Sequence, residues 1–243
     1  MPPTEPSYWA SSRSHRYSLL FALPLLLAYE FLELVAPIRS TGGIIRNGAD
    51  VILTSLFSAA LGPRGPLVFM AVVIAWAIIL VRRDRTAGPL RPVRFAVMFV
   101  ESILLASVFG AVVGLATAQL VGAGRSLAAG GGVSGSPVAR LTLSLGAGLY
   151  EELLFRVLLV AMLSHVMRTL GISRVPAGVV ATLVGAIIFS AFHYLGPLGD
   201  PFRVQSFVFR ALAGVAFSAL YLTRGFGITA WTHALYDVGV LLG

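Results

Sequence analysis

Long apolar runs separated by short polar segments dominate the chain. An apolar run of about 17–25 residues is long enough to cross a bilayer as a helix. The pattern predicts seven such helices, at residues 17–35, 66–81, 95–121, 139–165, 176–195, 204–222 and 228–242. A further apolar stretch, 50–62, is too short to cross comfortably and is predicted to be a re-entrant or interfacial helix. We therefore expect an all-α fold, a polytopic transmembrane helical bundle of seven to eight spans.

Polar segments divide these helices into two sets. Residues 1–16 are polar and rich in proline, and we predict a disordered N-terminal tail there. The N-terminal membrane helices occupy 17–121. The Gly/Ser-rich stretch 122–138 predicts a linker, and 139–243 holds the second set of membrane helices.

The composition agrees with a membrane protein and excludes several kinds of chemistry. Of the 243 residues, 57% are hydrophobic and only 12% are charged, whereas a soluble domain carries about 25% charged residues. The chain has no cysteine, which excludes disulfides, thiol nucleophiles and cysteine-rich metal sites. All 18 basic residues are arginine, which indicates coding bias in a bacterium. We predict an integral protein of the bacterial cytoplasmic (inner) membrane.

The arginines indicate the orientation in the membrane, and they account for the net charge of +8. Cytoplasmic loops of membrane proteins are enriched in Lys and Arg. The loop 82–94 carries the densest arginine cluster, so we expect it to be cytoplasmic. The N-terminus then lies on the same side, in agreement with Arg13 and Arg16, and so do Arg168, Arg174 and Arg224. Because the positive charge reports topology, we expect the lipid bilayer and no nucleic acid as a partner.

Two adjacent glutamates, Glu151 and Glu152, interrupt the apolar run 139–165. One carboxylate at the centre of a membrane helix costs roughly 2.5–3.5 kcal/mol, so two together indicate a function. Glu152 and Arg156 are i,i+4 neighbours on one helical face and can form an ion pair. Glu151 points about 100° away from that face. The spacing therefore predicts one structural ion pair and one carboxylate that is free for another task.

Two later helices carry further ionisable groups. His193 ends the segment Phe-Ser-Ala-Phe-His, and His233 and Asp237 share a helical face at i,i+4. Polar residues of this kind can simply join membrane helices. Taken with Glu151, however, the two histidines and the aspartate predict a shared polar centre. In the predicted spans His193 and His233 lie near opposite ends of their helices, so they meet only if those helices are tilted, broken or longer.

Three motifs in this order carry a resemblance to a known family. Glu-Glu-x-x-x-Arg, then Phe-x-x-x-His, then His-x-x-x-Asn/Asp on successive helices is similar to the CAAX protease and bacteriocin-processing (CPBP) family of intramembrane proteases, over about residues 139–243. Eukaryotic members remove the last three residues of prenylated proteins. The third motif here ends in Asp237, where many members have Asn. The resemblance implies an intramembrane endopeptidase whose substrate is a membrane-associated protein or peptide.

The roles that the resemblance implies agree with the chemistry of peptide hydrolysis. The reaction needs a base that deprotonates water and a donor that stabilises the oxyanion. Glu151 is the expected base, with His193 holding the same water. His233, with Asp237 beside it, is the expected oxyanion donor. The remaining motif residues are expected to support them: Glu152 and Arg156.

Metal chemistry is an alternative for the same residues. Glu151, His193 and His233 are a plausible set of three zinc ligands. The chain has no His-Glu-x-x-His motif, so nothing in the sequence demands zinc. We favour a metal-free glutamate mechanism without a cofactor.

Two other classes of function remain possible on the sequence alone. A non-enzymatic membrane immunity or partner-binding protein could use the same scaffold and its polar centre for recognition. A small transporter could carry protons on its buried acids.

Four more charged residues lie in apolar helices outside the three motifs. Glu30 and Glu33 are predicted to reach the interface, Glu101 to line the cavity or to pair with Arg94 or another helix, and Arg210 to pair with an acid.

Overall fold

The computed structural model describes residues 6–40, 43–84, 88–122, 136–196 and 199–242. Most of the predicted linker 122–138 lies outside these ranges. The described residues are almost entirely helical: α1 Tyr8–Ser12, α2 His15–Val35, α3 Gly48–Leu61, α4 Gly65–Arg83, α5 Pro92–Val121, α6 Pro137–Gly146, α7 Ala161–Thr169, α8 Arg174–Phe192, α9 Val204–Arg224 and α10 Phe226–Leu242. An antiparallel hairpin of two strands, β1 Ile38–Ser40 and β2 Gly43–Ile45, follows α2. The predicted all-α membrane bundle is confirmed.

Five helical stretches of the described residues are long and apolar enough to cross a membrane. They are His15–Val35, Gly48–Arg83, Pro92–Val121, Arg174–Phe192 and Val204–Arg224. The predicted span 228–242 corresponds to α10, which begins two residues earlier and has 17 residues. At 1.5 Å per residue it is about 25 Å long, slightly less than the hydrocarbon core of about 30 Å.

The short apolar stretch 50–62 forms α3, a helix of 14 residues. It ends at Gly62, whose φ of 60° suits a residue without a Cβ, and a 3₁₀ turn leads into α4. The rings of Phe57 and Phe69 lie 5.3 Å apart, although a straight helix would separate twelve residues by about 18 Å. The chain therefore folds back on itself, and α3, about 21 Å long, does not cross a bilayer alone.

The N-terminal segment differs from the predicted disordered tail. Its residues 8–12 form α1, where Ser7 accepts a hydrogen bond from the amide of Ala10 at 3.2 Å. Tyr8 donates to Glu101 on α5, and the guanidinium of Arg224 lies 3.7 Å from the centroid of the Trp9 ring. Composition alone suggested disorder, whereas a hydrogen bond and a cation–π contact with distant helices hold residues 8–12 in place.

A single continuous helical segment, 137–169, carries the first motif. Between α6 and α7 it contains two π-helical stretches, Ala147–Glu151 and Leu153–Val160. In a π-helix the hydrogen bonds run from i to i+5, and such stretches occur often at functional sites. Glu152 lies between them, next to Glu151. The predicted span 139–165 is thus helical, but its centre is not a regular α-helix.

The core joins this segment to both sets of helices. Its largest cluster of buried side chains comes from α2, α3, α4, the π-helical region and α10: Leu25, Tyr29, Leu53, Phe69, Leu149, Tyr150 and Ala234, among others. α10 passes so close to the π-helical region that a Cβ added at Gly148 would overlap the carbonyl oxygen of Ala230. The N-terminal and C-terminal sets therefore pack as one bundle around residues 147–160.

Candidate active site

Glu151 lies at the centre of the bundle and is 6% exposed. Its Oε1 accepts a hydrogen bond from Nδ2 of Asn47 at 3.0 Å. Its Oε2 has no hydrogen-bond partner among the described residues and lies 3.9 Å from Nε2 of His193. One carboxylate oxygen is therefore held in place while the other faces an imidazole. This arrangement agrees with the prediction of a carboxylate that is free for another task.

Asn47 comes from the N-terminal helices, and sequence analysis did not identify it. It is the N-cap of α3, and its Oδ1 accepts a hydrogen bond from the amide of Ala49 at 2.9 Å. Because the oxygen is used by the cap, the NH₂ group must be the part that faces Glu151. Asn directly before an apolar run is a typical N-cap signal. That signal could have located the residue, but nothing in the sequence links it to a glutamate 104 positions away.

His193 is placed by the end of α8. Its Nδ1 lies 2.9 Å from the carbonyl oxygen of Phe189, which can only accept a hydrogen bond, so Nδ1 carries the proton. Nε2 then presents a lone pair toward Glu151 when the ring is neutral. The distance of 3.9 Å between Nε2 and Oε2 is too long for a direct hydrogen bond. It allows both atoms to contact one water molecule.

Glu152 holds His233 as well as Arg156. Oε1 of Glu152 lies 2.7 Å from Nδ1 of His233 and 3.2 Å from NH1 of Arg156. All three side chains are buried, at 0%, 5% and 2% exposure. The predicted ion pair between Glu152 and Arg156 is present. Its link to His233 was not predicted, because only the tertiary structure brings the two helices together.

Aromatic rings surround this buried group. The guanidinium of Arg156 lies 4.3 Å from the ring centroid of Phe189 and 5.5 Å from that of Phe217. The ring of Phe217 also stacks on His233, with centroids 4.4 Å apart. A cation over an aromatic face is stabilised electrostatically, most strongly where water is excluded. The rings of Phe189 and Phe217 therefore help to fix the positions of Arg156 and His233.

Asp237 lies next to His233 and is more exposed than Glu152, Arg156 and His233. Its Oδ2 lies 3.6 Å from Nε2 of His233, and its side chain is 30% exposed. His233 thus has a carboxylate at each ring nitrogen, Glu152 at Nδ1 and Asp237 at Nε2. The predicted neighbourhood of His233 and Asp237 is observed.

The structure explains how the three motifs meet despite the depths expected from the sequence. The two adjacent glutamates face different helices, Glu151 toward His193 at the end of α8 and Glu152 toward His233 inside α10. The ring of Phe189 lies 5.0 Å from that of His193 and 6.3 Å from that of His233. The two histidines therefore lie on either side of one aromatic ring, next to the glutamate pair.

A second polar cluster lies beside the first and contains Glu30 and Glu33. Arg46 contacts three carboxylates, with Nε 2.5 Å from Asp50, NH2 3.1 Å from Glu30 and NH1 4.0 Å from Glu33. Tyr150, next to Glu151, donates to Glu30 at 2.6 Å. Glu33 is only 6% exposed. These acids therefore join Arg46, which follows the β-hairpin, to the π-helical region; their position relative to the membrane interface stays a prediction.

Two other charged residues pair across helices. Glu101 binds Arg224 with both oxygens, at 2.5 Å to Nε and 2.7 Å to NH2. Arg210 pairs with Asp200, as predicted for an acid partner. The amide of Asp200 in turn donates to the carbonyl oxygen of His193 at 2.9 Å, so this pair anchors the segment that follows the histidine.

The described part of the chain contains no group of three or more His, Asp or Glu side chains arranged to hold a metal ion. Each of the three predicted zinc ligands, Glu151, His193 and His233, has one oxygen or ring nitrogen that makes no hydrogen bond to the protein. Other contacts orient these side chains. His193 uses Nδ1 on a carbonyl oxygen, and His233 lies between two carboxylates.

The region that carries the three motifs is similar to a known protein family. Residues 134–239 match the family model described as type II CAAX prenyl endopeptidase Rce1-like. No curated protein and no solved structure matches the chain. The match covers all three motifs and ends two residues after Asp237. This region, less than half of the chain, is therefore similar to type II CAAX prenyl endopeptidases of the Rce1-like family.

Proposed function

We propose that this protein is an intramembrane endopeptidase that hydrolyses a peptide bond of a membrane-associated protein or peptide. One observation carries the proposal. The buried carboxylate of Glu151 has one oxygen held by Asn47 and the other unpartnered, 3.9 Å from Nε2 of His193. A general base needs this arrangement, because its free oxygen must reach the water that attacks the substrate.

The first step uses Glu151 and His193 together. A water between Oε2 and Nε2 loses a proton to Glu151 while its oxygen attacks the carbonyl carbon of the scissile bond. The product is a tetrahedral intermediate with a negatively charged oxygen. Glu151 then returns the proton to the leaving nitrogen as the C–N bond breaks, so the carboxylate is regenerated. In this role Asn47 is a positioning residue that keeps Oε1 occupied and Oε2 directed at the water.

The second requirement is a donor for the oxyanion, and His233 supplies it. A carboxylate such as Glu152 can only accept a hydrogen bond, so Nδ1 of His233 carries a proton. Donation from Nε2 then requires the doubly protonated imidazolium, which the carboxylates of Glu152 and Asp237 stabilise. A buried donor of this kind is worth more than in water, because no solvent competes for the oxyanion. Arg156 balances the charge of Glu152.

The proposed reaction needs no metal ion or other cofactor. Glu151 supplies the base and His233 the charge stabilisation that a zinc ion would otherwise provide. Zinc held by Glu151, His193 and His233 is the alternative, and chelation distinguishes the two.

The substrate is proposed to be a peptide at the membrane surface or within it, because the site lies among membrane helices. In a bacterial cytoplasmic membrane, a leader peptide or a hydrophobic C-terminal sorting tail fits this description better than a prenylated terminus, since bacteria usually lack prenylated proteins. Peptide ends compared by mass spectrometry in cells with and without the gene would identify the substrate.

The test of the proposal is the Glu151→Gln variant, assayed on the substrate found in this way. Glutamine keeps the shape and accepts the hydrogen bond from Asn47, but it cannot take a proton. We expect proteolysis to be abolished while the melting temperature and membrane insertion match the wild type. Cleavage at the wild-type rate would overturn the assignment of Glu151.

A further inference from the structure

We propose that Arg210 is a positioning residue, which acts through Asp200 to keep His193 at the distance from Glu151 that one water molecule can bridge. The role in catalysis rests on the proposed proteolytic function. The effect on the position of the His193 ring does not, because it follows from contacts within the protein.

His193 lies beyond the regular part of α8 and depends on support from elsewhere. The amides of His193, Tyr194 and Leu195 donate to carbonyl oxygens three residues earlier, at 3.3, 3.0 and 3.2 Å. Such 3₁₀-type bonds have poorer geometry than those of an α-helix, and helix ends open more readily than helix centres. The bond from Nδ1 to the carbonyl oxygen of Phe189 orients the ring, but it connects His193 only to its own helix.

Asp200 supplies a contact from outside the helix. Its amide donates to the carbonyl oxygen of His193 at 2.9 Å. The last carbonyl groups of a helix have no partner within it, so this bond also satisfies an acceptor that α8 leaves open. The position of the Asp200 backbone therefore determines that of the His193 backbone, and with it the place of the imidazole.

Arg210 on α9 in turn fixes Asp200. Its NH2 group donates to Oδ2 of Asp200, and its guanidinium lies 5.3 Å from the ring centroid of Tyr194. Both partners adjoin His193, since Tyr194 is the next residue along the chain and Asp200 bonds to His193. One guanidinium therefore holds the chain that follows the histidine at two points.

The helix that carries Arg210 is a firm support because it packs closely on α8. Ser190 on α8 donates to the carbonyl oxygen of Phe207 on α9 at 2.7 Å. A Cβ added at Gly214 on α9 would lie 2.9 Å from Cα of Ala186 on α8. Arg210 lies between these two contacts in the sequence, so its backbone is fixed relative to α8.

The burial of Arg210 indicates that the pair has more than a packing role. Arg210 is 8% exposed, and its NH1 group has no hydrogen-bond partner among the described residues. A buried ion pair that only stabilises a helix can often be replaced by apolar side chains without loss. The placement of Asp200, and through it of His193, gives the buried charge a use that an apolar side chain could not supply.

Nitrogen NMR reports on His193 without catalysis. The chain has only four histidines, so ¹⁵N-histidine labelling of the full chain in detergent gives a simple spectrum, and His193→Ala assigns the signals of this ring. The contact with Phe189 predicts the neutral tautomer with its proton on Nδ1 for the wild type at alkaline pH.

The central variant is Arg210→Met, which removes the guanidinium and keeps a long unbranched side chain. We expect the His193 signals to change from one tautomer to a mixture of the two. On the substrate found for the wild type, we expect kcat to fall about ten- to a hundredfold, because a misplacement of about 1 Å can cost about 10²-fold. KM should stay near the wild-type value, since no substrate contact is removed.

Two further variants test the route through Asp200. Arg210→Lys should restore most of the His193 signal and of kcat, because one ammonium can replace the bond that NH2 makes. Asp200→Ser keeps the charge of Arg210 but loses the pair, and it should reproduce the Arg210→Met result. If Arg210→Met does not fold, these two variants test the same contact.

Arg224→Met is the matched control. Arg224 lies at the other end of α9, is 3% exposed and pairs with Glu101, so its loss also breaks a buried ion pair of this helix. We expect a lower melting temperature, with the His193 signals and kcat near their wild-type values.

Unchanged His193 signals in Arg210→Met, or equal changes in Arg224→Met, overturn the proposal. A change that Asp200→Ser does not reproduce overturns the route through Asp200, and a changed spectrum with unchanged kcat overturns the role in catalysis. The proposed proteolysis fails separately, if Glu151→Gln still cleaves substrate. The NMR result on the position of His193 would stand in that case.

Discussion

The side-chain amide of Asn47 donates to Oε1 of Glu151 across 3.0 Å, joining the N-terminal helices to the proposed catalytic base. The family match begins at residue 134, so this contact comes from outside the matched region. The two sets of helices therefore meet at one candidate site. In the proposed mechanism, the N-terminal set positions the carboxylate and the C-terminal set supplies the reacting groups.

Replacing Asn47 by serine should test whether Asn47 positions Glu151. Serine keeps the N-cap of α3 but cannot reach Glu151 with an amide donor. The lost hydrogen bond to a charged group contributes about 1.5–3 kcal/mol to stability, so we expect a lower melting temperature. Because Glu151 is no longer held, we also expect kcat to fall about ten- to a hundredfold, with KM near wild type. Asn47→Asp also keeps the cap and should reduce kcat further, because its carboxylate repels Glu151.

The control for this pair is Asn47→Ala, which also loses the cap, at a cost of about 1 kcal/mol. Thermal unfolding of the purified protein and steady-state kinetics measure the two effects. If Asn47→Ser retained the wild-type kcat, the positioning role would be wrong and Asn47 would serve only α3.

Replacing Glu152 by glutamine should lower stability strongly. Arg156 would be left buried at 2% exposure without its counter-ion, and breaking a buried ion pair costs about 3–5 kcal/mol. Differential scanning calorimetry in detergent would show a lower melting temperature than for wild type or Glu151→Gln. The double variant Glu152→Gln/Arg156→Met removes the unpaired charge and should recover much of the loss. A normal melting curve for Glu152→Gln would contradict the ion pair.

His233→Ala should slow the reaction without changing metal content. Loss of one oxyanion donor typically lowers kcat by about 10²–10³-fold. Elemental analysis of the purified variant and of the wild type should show the same amount of zinc. A variant that loses bound zinc together with activity would instead identify His233 as a metal ligand.

Chelators should leave the wild-type activity nearly unchanged. Glu151 and His193 activate water directly in the proposed mechanism, so EDTA or 1,10-phenanthroline removes nothing that the reaction needs. Activity assays in detergent before and after chelation, with zinc added back, provide the measurement. Silencing by chelation, restoration by zinc and about one metal per chain would establish the zinc alternative.

Much of the site could be predicted from the sequence because its signals are local. Glu152 and Arg156 are one helical turn apart, and so are His233 and Asp237, so each pair follows from helical periodicity. The cost of ionisable groups in lipid marks Glu151 without any structure. Apolar run length likewise predicts helices, since the bilayer requires every backbone group to be paired within its own segment.

The rest depended on contacts between distant parts of the chain. The bonds from Asn47 to Glu151 and from Glu152 to His233 span 104 and 81 residues, and no periodic pattern reports such pairs. The same reason explains why α1 is ordered and why Glu30 and Glu33 gather around Arg46, since their partners lie on other elements. The π-helical stretches around Glu151 also escaped prediction, because the spacing of apolar residues in a continuous apolar run does not distinguish a π-helical turn from an α-helical one. By itself the sequence determined a membrane bundle and its candidate reactive groups. Only the tertiary structure decided which oxygen of Glu151 is held and which is free, because helix packing sets the partner of each atom.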